Sequence, residues 1–289
     1  MLDGAFTVDL PHGLFDDGGG CHRVVELRPL AGREELLLAG ARERGSRAVS
    51  ALLATLIGRL GEFDEVDASL TAALTRGDRD VLLLSVRAAL YGDRIGLIVR
   101  CANPACRAPA DVDVFTHELV PAATAPPRPR IELATAAGTA RVREPTGADD
   151  AALEEVAGPV RERAARLWAR LTELDGRPLT AADWLALPAA ARHAVAVGLA
   201  EHSRAPDLVL VARCPACRAL LEVELEPFAL LTRELKAGGD RLLAEVHALA
   251  FHYHWSEAEI LALPRPRRWR YLELLARELD GRPLIDGWS

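Results

Sequence analysis

The sequence lacks the short motifs that most often mark an enzyme active site. It has no glycine-rich phosphate loop, no dinucleotide fingerprint, no Gly-x-Ser-x-Gly elbow and no His-Glu-x-x-His spacing. The acidic pair Asp149 and Asp150 is more simply explained as the first turn of a helix, where carboxylates are favoured. His193 and His202 have no serine or cysteine partner that the sequence identifies. We therefore expect no catalytic activity.

Long apolar runs and an excess of positive charge are missing as well. No stretch approaches the length of a membrane span, and the first ten residues carry no basic-then-apolar targeting signal. The formal net charge of −7 gives no electrostatic basis for binding nucleic acid. We expect a cytoplasmic protein with no membrane span and no nucleic-acid partner.

Cysteine is scarce, with five residues in a chain of 289. Because no secretion signal is seen, this odd number argues against a disulfide framework. Half of the residues are hydrophobic, which is enough to build the core of one or two domains. Cys21 stands apart from the others and is predicted to be a small buried or edge residue.

The other four cysteines form two short pairs, Cys101–Cys106 and Cys214–Cys217. Each pair lies between an apolar run and a second run with alternating side chains, and strand, tight cysteine turn and strand together are typical of a zinc knuckle. Four thiolates suit a tetrahedral zinc ion with no open position. The sequence therefore predicts a structural zinc site whose ligands are Cys101, Cys106, Cys214 and Cys217.

Other states of these cysteines remain open from the sequence. They could be reduced thiols without a metal, or they could form two disulfides. Cys214-Pro-Ala-Cys217 could also be a thioredoxin-like redox pair, although such a pair should start a helix and a strand is expected here. The first pair has four intervening residues, which is looser than the usual two.

The second half of the sequence repeats the first. A constant shift of 113 residues pairs several positions around the two cysteine turns, and a shift of 111 residues pairs others upstream. The matched positions are Leu74 with Leu187, Arg79 with Arg192, Leu97 with Leu210, Arg100 with Arg213, Cys101 with Cys214, Leu56 with Leu167, Arg59 with Arg170, Leu60 with Leu171 and Asp64 with Asp175. Pro29-Leu-Ala-Gly32 also resembles Pro145-Thr-Gly147. Identities in one order with small gaps indicate an internal duplication.

The predicted fold is α+β, with tandem duplicated helix-plus-zinc-knuckle hairpin units followed by a C-terminal helical segment. We place repeat 1 at residues 1–119, a proline-rich linker at 120–130, repeat 2 at 131–230 and the helical segment at 231–289. Each repeat supplies two thiolates, which is half of a tetrahedral site. Two repeats related by a pseudo-two-fold axis could therefore share one zinc ion that fastens them together.

The C-terminal segment is predicted to be helical from Leu231 to Leu279, with a break or kink near Gly238 and Gly239. Ser256 and Glu259 form a capping-box pattern for a short helix. His247, His252 and His254 lack metal-ligand spacing and are expected to be surface or packing residues. A local basic patch is predicted to face an acidic partner or solvent, and it consists of Arg265, Arg267, Arg268 and Arg270.

Several of these stretches resemble baseplate proteins of contractile phage tails, of the T-even phage hub-assembly type, which have relatives in bacterial contractile injection systems. The resemblance covers about the first 115 residues and, more loosely, the tail. It rests on Glu26-Leu-Arg-Pro29, Leu74-Thr-Arg-Gly-Asp-Arg79, Arg87-Ala-Ala-Leu-Tyr-Gly92, the strand into Cys101, and Phe251-His-Tyr-His-Trp-Ser-Glu-Ala-Glu-Ile260. The second repeat keeps the cysteines but has Ala191-Arg192 and Arg204-Ala205 in place of the Asp-Arg and Tyr-Gly pairs.

The resemblance implies a non-enzymatic structural or assembly component of a baseplate in the bacterial cytoplasm. Its implied partners are other baseplate, hub or spike subunits, either in an assembled tail-like particle or during assembly. The alternatives are a zinc-ribbon adaptor and a thiol redox protein that uses the Cys214–Cys217 pair. The tail helices, with Trp255, Trp269 and Tyr271 beside several arginines, are expected to form a docking surface unless they simply pack on the repeats.

Overall fold

The computed structural model of the protein describes residues 6–16, 18–40, 45–120 and 126–279. Helices and antiparallel sheets alternate along the chain, so the predicted α+β class is confirmed. Within the described residues, no helix combines the length and the apolar character needed to span a membrane.

The first half begins with a three-stranded sheet and its helices. The elements are β1 (Phe6–Phe15), β2 (Cys21–Leu27), α1 (Gly32–Gly40), α2 (Ser46–Leu56) and β3 (Ile57–Leu60), with sheet order β1-β2-β3. Alternating side chains of the strands, such as Val25 and Leu27, join the buried leucines of α2 in one core. The sequence predicts a helix from Ala48 to Leu60, but the helix ends at Leu56. The remaining residues pair with β2, because Leu60 lies opposite Val25.

The first half ends in two helices and a hairpin. These are α3 (Ala68–Ala73), α4 (Arg76–Tyr91), β4 (Arg94–Arg100), β5 (Pro109–Phe115) and the short α5 (Thr116–Leu119). Thr75 caps α4 as predicted, since its side chain accepts the N–H of Asp78. Gly92 ends the helix with a φ of 86°, a conformation that glycine adopts without strain.

The second half follows the same order of elements with one extra short strand. It contains β6 (Ile131–Thr135), β7 (Gly138–Val142), α6 (Gly147–Glu154), α7 (Val160–Leu171), β8 (Thr172–Leu174), β9 (Arg177–Pro178), α8 (Ala181–Ala186), α9 (Ala189–His202), β10 (Val209–Arg213) and β11 (Leu220–Glu224). The first four of its strands form one sheet in the order β6-β7-β8-β9. Its separate core includes the buried Trp184, and the partly buried Trp168 stacks on it with ring centroids 5.4 Å apart.

The C-terminal segment consists of α10 (Pro227–Tyr253), α11 (Glu257–Leu261) and α12 (Arg265–Glu278). Helix α10 runs unbroken through Gly238 and Gly239, so the predicted break is wrong. Buried leucines on both sides of the glycines explain this continuity, because Leu235 packs into the first core and Leu242 packs against α12.

Two of the predicted boundaries can be compared with the observed helices and strands. Helix α10 begins at Pro227 and so crosses the position 230/231 where the C-terminal segment was placed. The predicted linker at 120–130 includes residues 121–125, which lie outside the described residues. Residues 126–130 of that linker form neither helix nor strand.

Candidate metal centre

The two cysteine pairs occupy the turns of two β-hairpins. Strands β4 and β5 pair antiparallel up to Arg100 and Pro109, and β10 and β11 pair up to Arg213 and Leu220. Each first cysteine follows the end of its hairpin's first strand. The strands predicted around the cysteines are therefore present, and the Cys214–Cys217 pair precedes a strand instead of starting a helix.

Both turns share a backbone conformation that aims the sulfurs. The N–H of Cys101 donates to the carbonyl of Ala108 at 2.9 Å, and the N–H of Cys214 donates to Ala219 at the same distance. The residue after each second cysteine, Arg107 or Arg218, has a positive φ, 52° and 63° respectively. That left-handed residue closes the turn and returns the chain to the second strand. The repeated Cys-Arg-Ala sequence is a signal of this turn that our sequence analysis missed.

The longer first turn still brings its two sulfurs close together, within 4.8 Å of each other. The side-chain oxygen of Asn103 accepts the N–H of Ala105 at 3.0 Å, and the Asn103 carbonyl accepts the N–H of Cys106 at 3.0 Å. These bonds fold the extra residues into a compact loop. The looser spacing of the first pair therefore does not prevent it from acting as half of a site.

The four sulfurs come together across the two hairpins. The Sγ atoms of Cys101 and Cys217 are 3.6 Å apart, and those of Cys106 and Cys214 are 3.8 Å apart. All four sulfurs lie within 4.8 Å of one another. A tetrahedral site with metal–sulfur bonds of about 2.3 Å requires sulfurs about 3.8 Å apart. The structure thus brings the four predicted ligands into a group that could hold a metal ion.

Disulfides do not explain this cluster. A disulfide requires sulfurs about 2.05 Å apart, and each of the five cysteines, all within the described residues, is free. Cys101 and Cys214 are buried, Cys106 is half-buried and Cys217 is exposed. The cluster therefore sits at the surface end of the hairpins, with one side against the protein.

The contacts between the sulfurs are crossed. The first cysteine of each pair contacts the second cysteine of the other pair, which is the arrangement that a two-fold axis between the hairpins would give. The buried cysteines Cys101 and Cys214 pack in one apolar cluster with Ala110 and Leu221 of the hairpins' second strands. A second contact joins the bases of the hairpins through Ile95, Val114 and Leu225.

The thiols differ in their acidity. The backbone N–H of Cys217 lowers the pKa of the Cys214 thiol to about 7. For Cys101 the N–H of Asn103 acts in the same direction, but burial and the neighbouring thiols outweigh it and raise the pKa to about 12. Four adjacent thiolates repel one another, and a bound dication offsets that repulsion. The donor set therefore suits a cation that prefers thiolates.

The histidines of the tail take no part in a comparable group. In the part of the chain that the structure describes, the four cysteines are the single convergence of three or more cysteine, histidine or acidic ligand atoms. Cys21 is exposed at the start of β2, where its Sγ lies 3.5 Å from the carbonyl oxygen of His12.

The predicted basic patch of the tail is partly wrong. Arg268 is fully buried, with a relative exposure of 0%, and Arg265 is also buried. The guanidinium of Arg268 donates to Glu35 at 2.7 Å and to Glu245 at 3.0 Å. These acids come from α1 and α10, distant in sequence, so neither partner could be recognised from local charge patterns. Trp255, Trp269 and Tyr271 are half-buried against the same helices.

A second buried ionic group surrounds Asp149 at the start of α6. Arg143 and Arg170 donate to its carboxylate at 2.6 Å and 3.1 Å, and the Thr146 N–H donates at 3.0 Å. Burial alone would raise the pKa of Asp149, but these donors hold it well below its usual range. The residue is indeed in the first turn of a helix, as predicted.

Comparison of the chain with protein-family models, curated proteins and solved structures gives no match.

Proposed function

We propose that the four cysteines bind one structural zinc ion that joins two copies of a duplicated unit, in a non-enzymatic component of a contractile-tail or injection-system baseplate. The observation that carries the metal assignment is the spacing of the sulfurs, which lie 3.6 Å and 3.8 Å apart across the hairpins. Zinc is the commonest ion for four thiolates in a tetrahedral arrangement, and four protein ligands leave no position for a substrate.

The duplication is supported by the order of elements and by the crossed sulfurs. Each half runs through two strands, two helices, one short strand in the first half or two in the second, two more helices and a cysteine hairpin. Under this proposal each copy brings half of the metal site, and neither half can close its site alone. The zinc ion would then link the two copies, and its binding free energy would stabilise the folded state.

The baseplate assignment rests on the resemblance, and the positions of its residues favour a scaffold. Leu74-Thr-Arg-Gly-Asp-Arg79 starts α4, and Arg87-Ala-Ala-Leu-Tyr-Gly92 ends it. Arg87 donates to the carbonyls of Gly92 and Arg94 at 2.7 Å each and pairs with Glu234 of α10. The resembling residues thus support the hairpin that carries Cys101. We infer a protein whose function lies in its surfaces, with other baseplate, hub or spike subunits as partners.

The metal part is tested by native mass spectrometry and metal analysis of the purified protein. One zinc ion per chain is expected, and Cys106→Ser should lower its occupancy whereas Cys21→Ser should not. A folded protein without metal would contradict the assignment. The biological part is tested by deleting the gene in a strain that makes tail-like particles. Loss of contractile particles is expected, and normal particles would contradict the baseplate role.

One observation keeps thiol redox chemistry as a second candidate. Cys214 has a pKa lowered to about 7, and its neighbour Cys217 is exposed. A thiol–disulfide exchange assay on the metal-free and zinc-loaded protein separates the two functions. A redox role requires that the protein catalyse thiol–disulfide exchange in the metal-bound or metal-free form that occurs in the cell. A structural site, in contrast, is inert when zinc is bound.

A further inference from the structure

Three pairs of helices in the chain share one sequence pattern. They are α3–α4, α8–α9 and α11–α12, which we call hairpins A, B and C. Each starts at a capping side chain and has an arginine at the same distance from that cap, inside the second helix. The caps are Asp67, Thr180 and Ser256, and the arginines are Arg79, Arg192 and Arg268. A leucine precedes the residue before each second helix: Leu74, Leu187 and Leu263. The tail therefore contains a third copy of a helical hairpin found in both halves.

Hairpins A and C bind the start of a helix elsewhere in the chain through the same backbone contact. The N–H of Gly147, first residue of α6, donates to the carbonyl of Leu74 in hairpin A at 3.2 Å. The N–H of Gly32, first residue of α1, donates to Leu263 in hairpin C at 3.3 Å. Isolated antiparallel bridges, Thr75 with Thr146 and Ala31 with Pro264, accompany the two contacts.

The arginine of each docked hairpin explains why both helices begin with glycine. A Cβ atom on Gly147 would overlap the guanidinium of Arg79, and one on Gly32 would lie 3.0 Å from Arg268 Nη1. Both arginines are buried, with relative exposures of 4% and 0%. Glycine at both docked helix starts avoids this crowding, and a proline stands shortly before each glycine, at Pro29 and Pro145.

An ion pair accompanies both contacts. The first residue of the second helix is an arginine in hairpins A and C, and it faces an acid on the helix that is bound. Arg76 pairs with Asp150, and Arg265 lies 3.9 Å from Glu35. The two acids occupy the same position in their helices, three residues after the glycine.

In hairpin B, the corresponding surface at the start of the second helix makes no such contact with the described part of the chain. Pro188, Ala189 and Ala190 are exposed, and Arg192 is only half-buried. Among the described residues, no backbone hydrogen bond reaches the carbonyl of Leu187 or the N–H of Ala189. The glycine-started helices α1 and α6 are both already bound, by hairpins C and A.

We propose that hairpin B binds the start of a helix in another protein, by the contact that hairpins A and C make within the chain. The bound segment would contain a proline shortly before a glycine that begins the helix. Because Ala189 replaces the arginine, the position three residues after that glycine would be uncharged. A second copy of this chain is the less suitable occupant, since its own two glycine starts are filled. The proposal does not depend on the metal, because hairpin B contributes no ligand.

Site-specific photo-cross-linking in the full-length protein tests this. A benzophenone amino acid replaces Ala189, and the protein is expressed from its own locus so that natural partners are present. A matched probe replaces Val160, which is 82% exposed on α7 of the same half. We expect a cross-link from position 189, but not from 160, to a peptide within a few residues of a proline-then-glycine helix start. Adding Ala190→Arg should reduce that cross-link at least tenfold, while the zinc content and the circular dichroism stay unchanged.

Three results would overturn the proposal. They are the absence of a cross-link from position 189, cross-links that map to other kinds of segment, and cross-links to a second copy of the chain. Circular dichroism of both probe variants shows whether the chain is folded, so that a missing cross-link is not confused with unfolding.

Discussion

Cys214 is the most buried of the four clustered cysteines, with a relative exposure of 0%. Its sulfur lies 3.8 Å from that of Cys106 in the other hairpin, so it belongs both to the candidate metal site and to the packing between the hairpins. A residue in this position links the chemistry of the site to the stability of the whole chain.

Cys214→Ser is expected to destabilise the protein by several kcal/mol, since three thiolates and a hydroxyl hold zinc poorly and structural zinc contributes on the order of ten kcal/mol in small peptides. Thermal unfolding with and without a chelator measures the effect. Cys21→Ser is the control, because Cys21 is exposed and outside the cluster, and it should change stability by less than about 0.5 kcal/mol. Equal melting curves for the two variants would contradict a structural site.

Asp80, on α4, should make stability depend on pH. Burial raises the pKa of this carboxyl to about 7, although Arg76 and Arg79 lower it. In the unfolded chain the group titrates near 3.9. The unfolded state therefore loses its proton first, so this contribution to stability is full below about pH 4 and falls as the pH rises towards 7.

Asp80→Asn removes this dependence. The variant should be more stable than the wild type at pH 8, by on the order of 1 kcal/mol, and should show no gain at pH 4. Denaturant unfolding at the two pH values measures this. Asp111→Asn, at an exposed position on β5, should give the wild-type pH profile. A gain of equal size at both pH values would show that the carboxyl titration is not responsible.

At the scale of elements, glycines inside helices have opposite roles at two positions. Gly147 starts α6 against the Arg79 guanidinium, which is held by Ser46 and Ser50. Gly238 lies in the middle of α10, and the nearest atom to an added Cβ is the hydroxyl of Tyr91, 3.8 Å away.

Gly147→Ala is therefore expected to destabilise the protein by about 1–3 kcal/mol, because the buried arginine has no room to move. Gly238→Ala should stabilise it by up to about 1 kcal/mol, since alanine is the better helix former and no clash is introduced. Paired denaturant titrations give both values. The docking contact would lose its support if Gly147→Ala were as well tolerated as Gly238→Ala.

The elements near the cysteines could be predicted from the sequence because their signals are local. Alternation in Leu221–Leu225 identifies a strand, and Thr75 with the acids after it identifies a helix start. Strand β3 was missed since its apolar residues continue the pattern of α2, and only the pairing of Leu60 with Val25 decides between them. Buried pairs such as Arg268 with Glu35 depend on tertiary contacts that no local window contains.

The candidate site was predictable for a related reason. Its four candidate ligands are the four paired cysteines, and the repeat predicted from the sequence indicated that the two pairs would meet, as their sulfurs do. The crossed arrangement of the sulfurs and the left-handed Arg107 and Arg218 needed the structure. Hairpin C was overlooked as a repeat because it lacks the cysteine hairpin that follows hairpins A and B.

At the scale of the whole molecule, the two halves are joined by contacts that do not involve the linker at 120–130. Gly147 of the second half binds Leu74 of the first, and Arg76 pairs with Asp150. The sulfur cluster forms a separate junction. Together these contacts should hold the halves together independently of the covalent connection.

A specific protease site inserted in the linker tests this. After cleavage under zinc-replete conditions, the two fragments are expected to elute together in gel filtration, because both junctions remain. The fragments of a cleaved Cys214→Ser variant should dissociate more readily, because this variant keeps the Gly147 contact but loses the proposed zinc link between the halves. Uncleaved protein serves as the size standard. If the wild-type fragments separate with zinc present, the halves are independent domains and the four cysteines do not form one shared site.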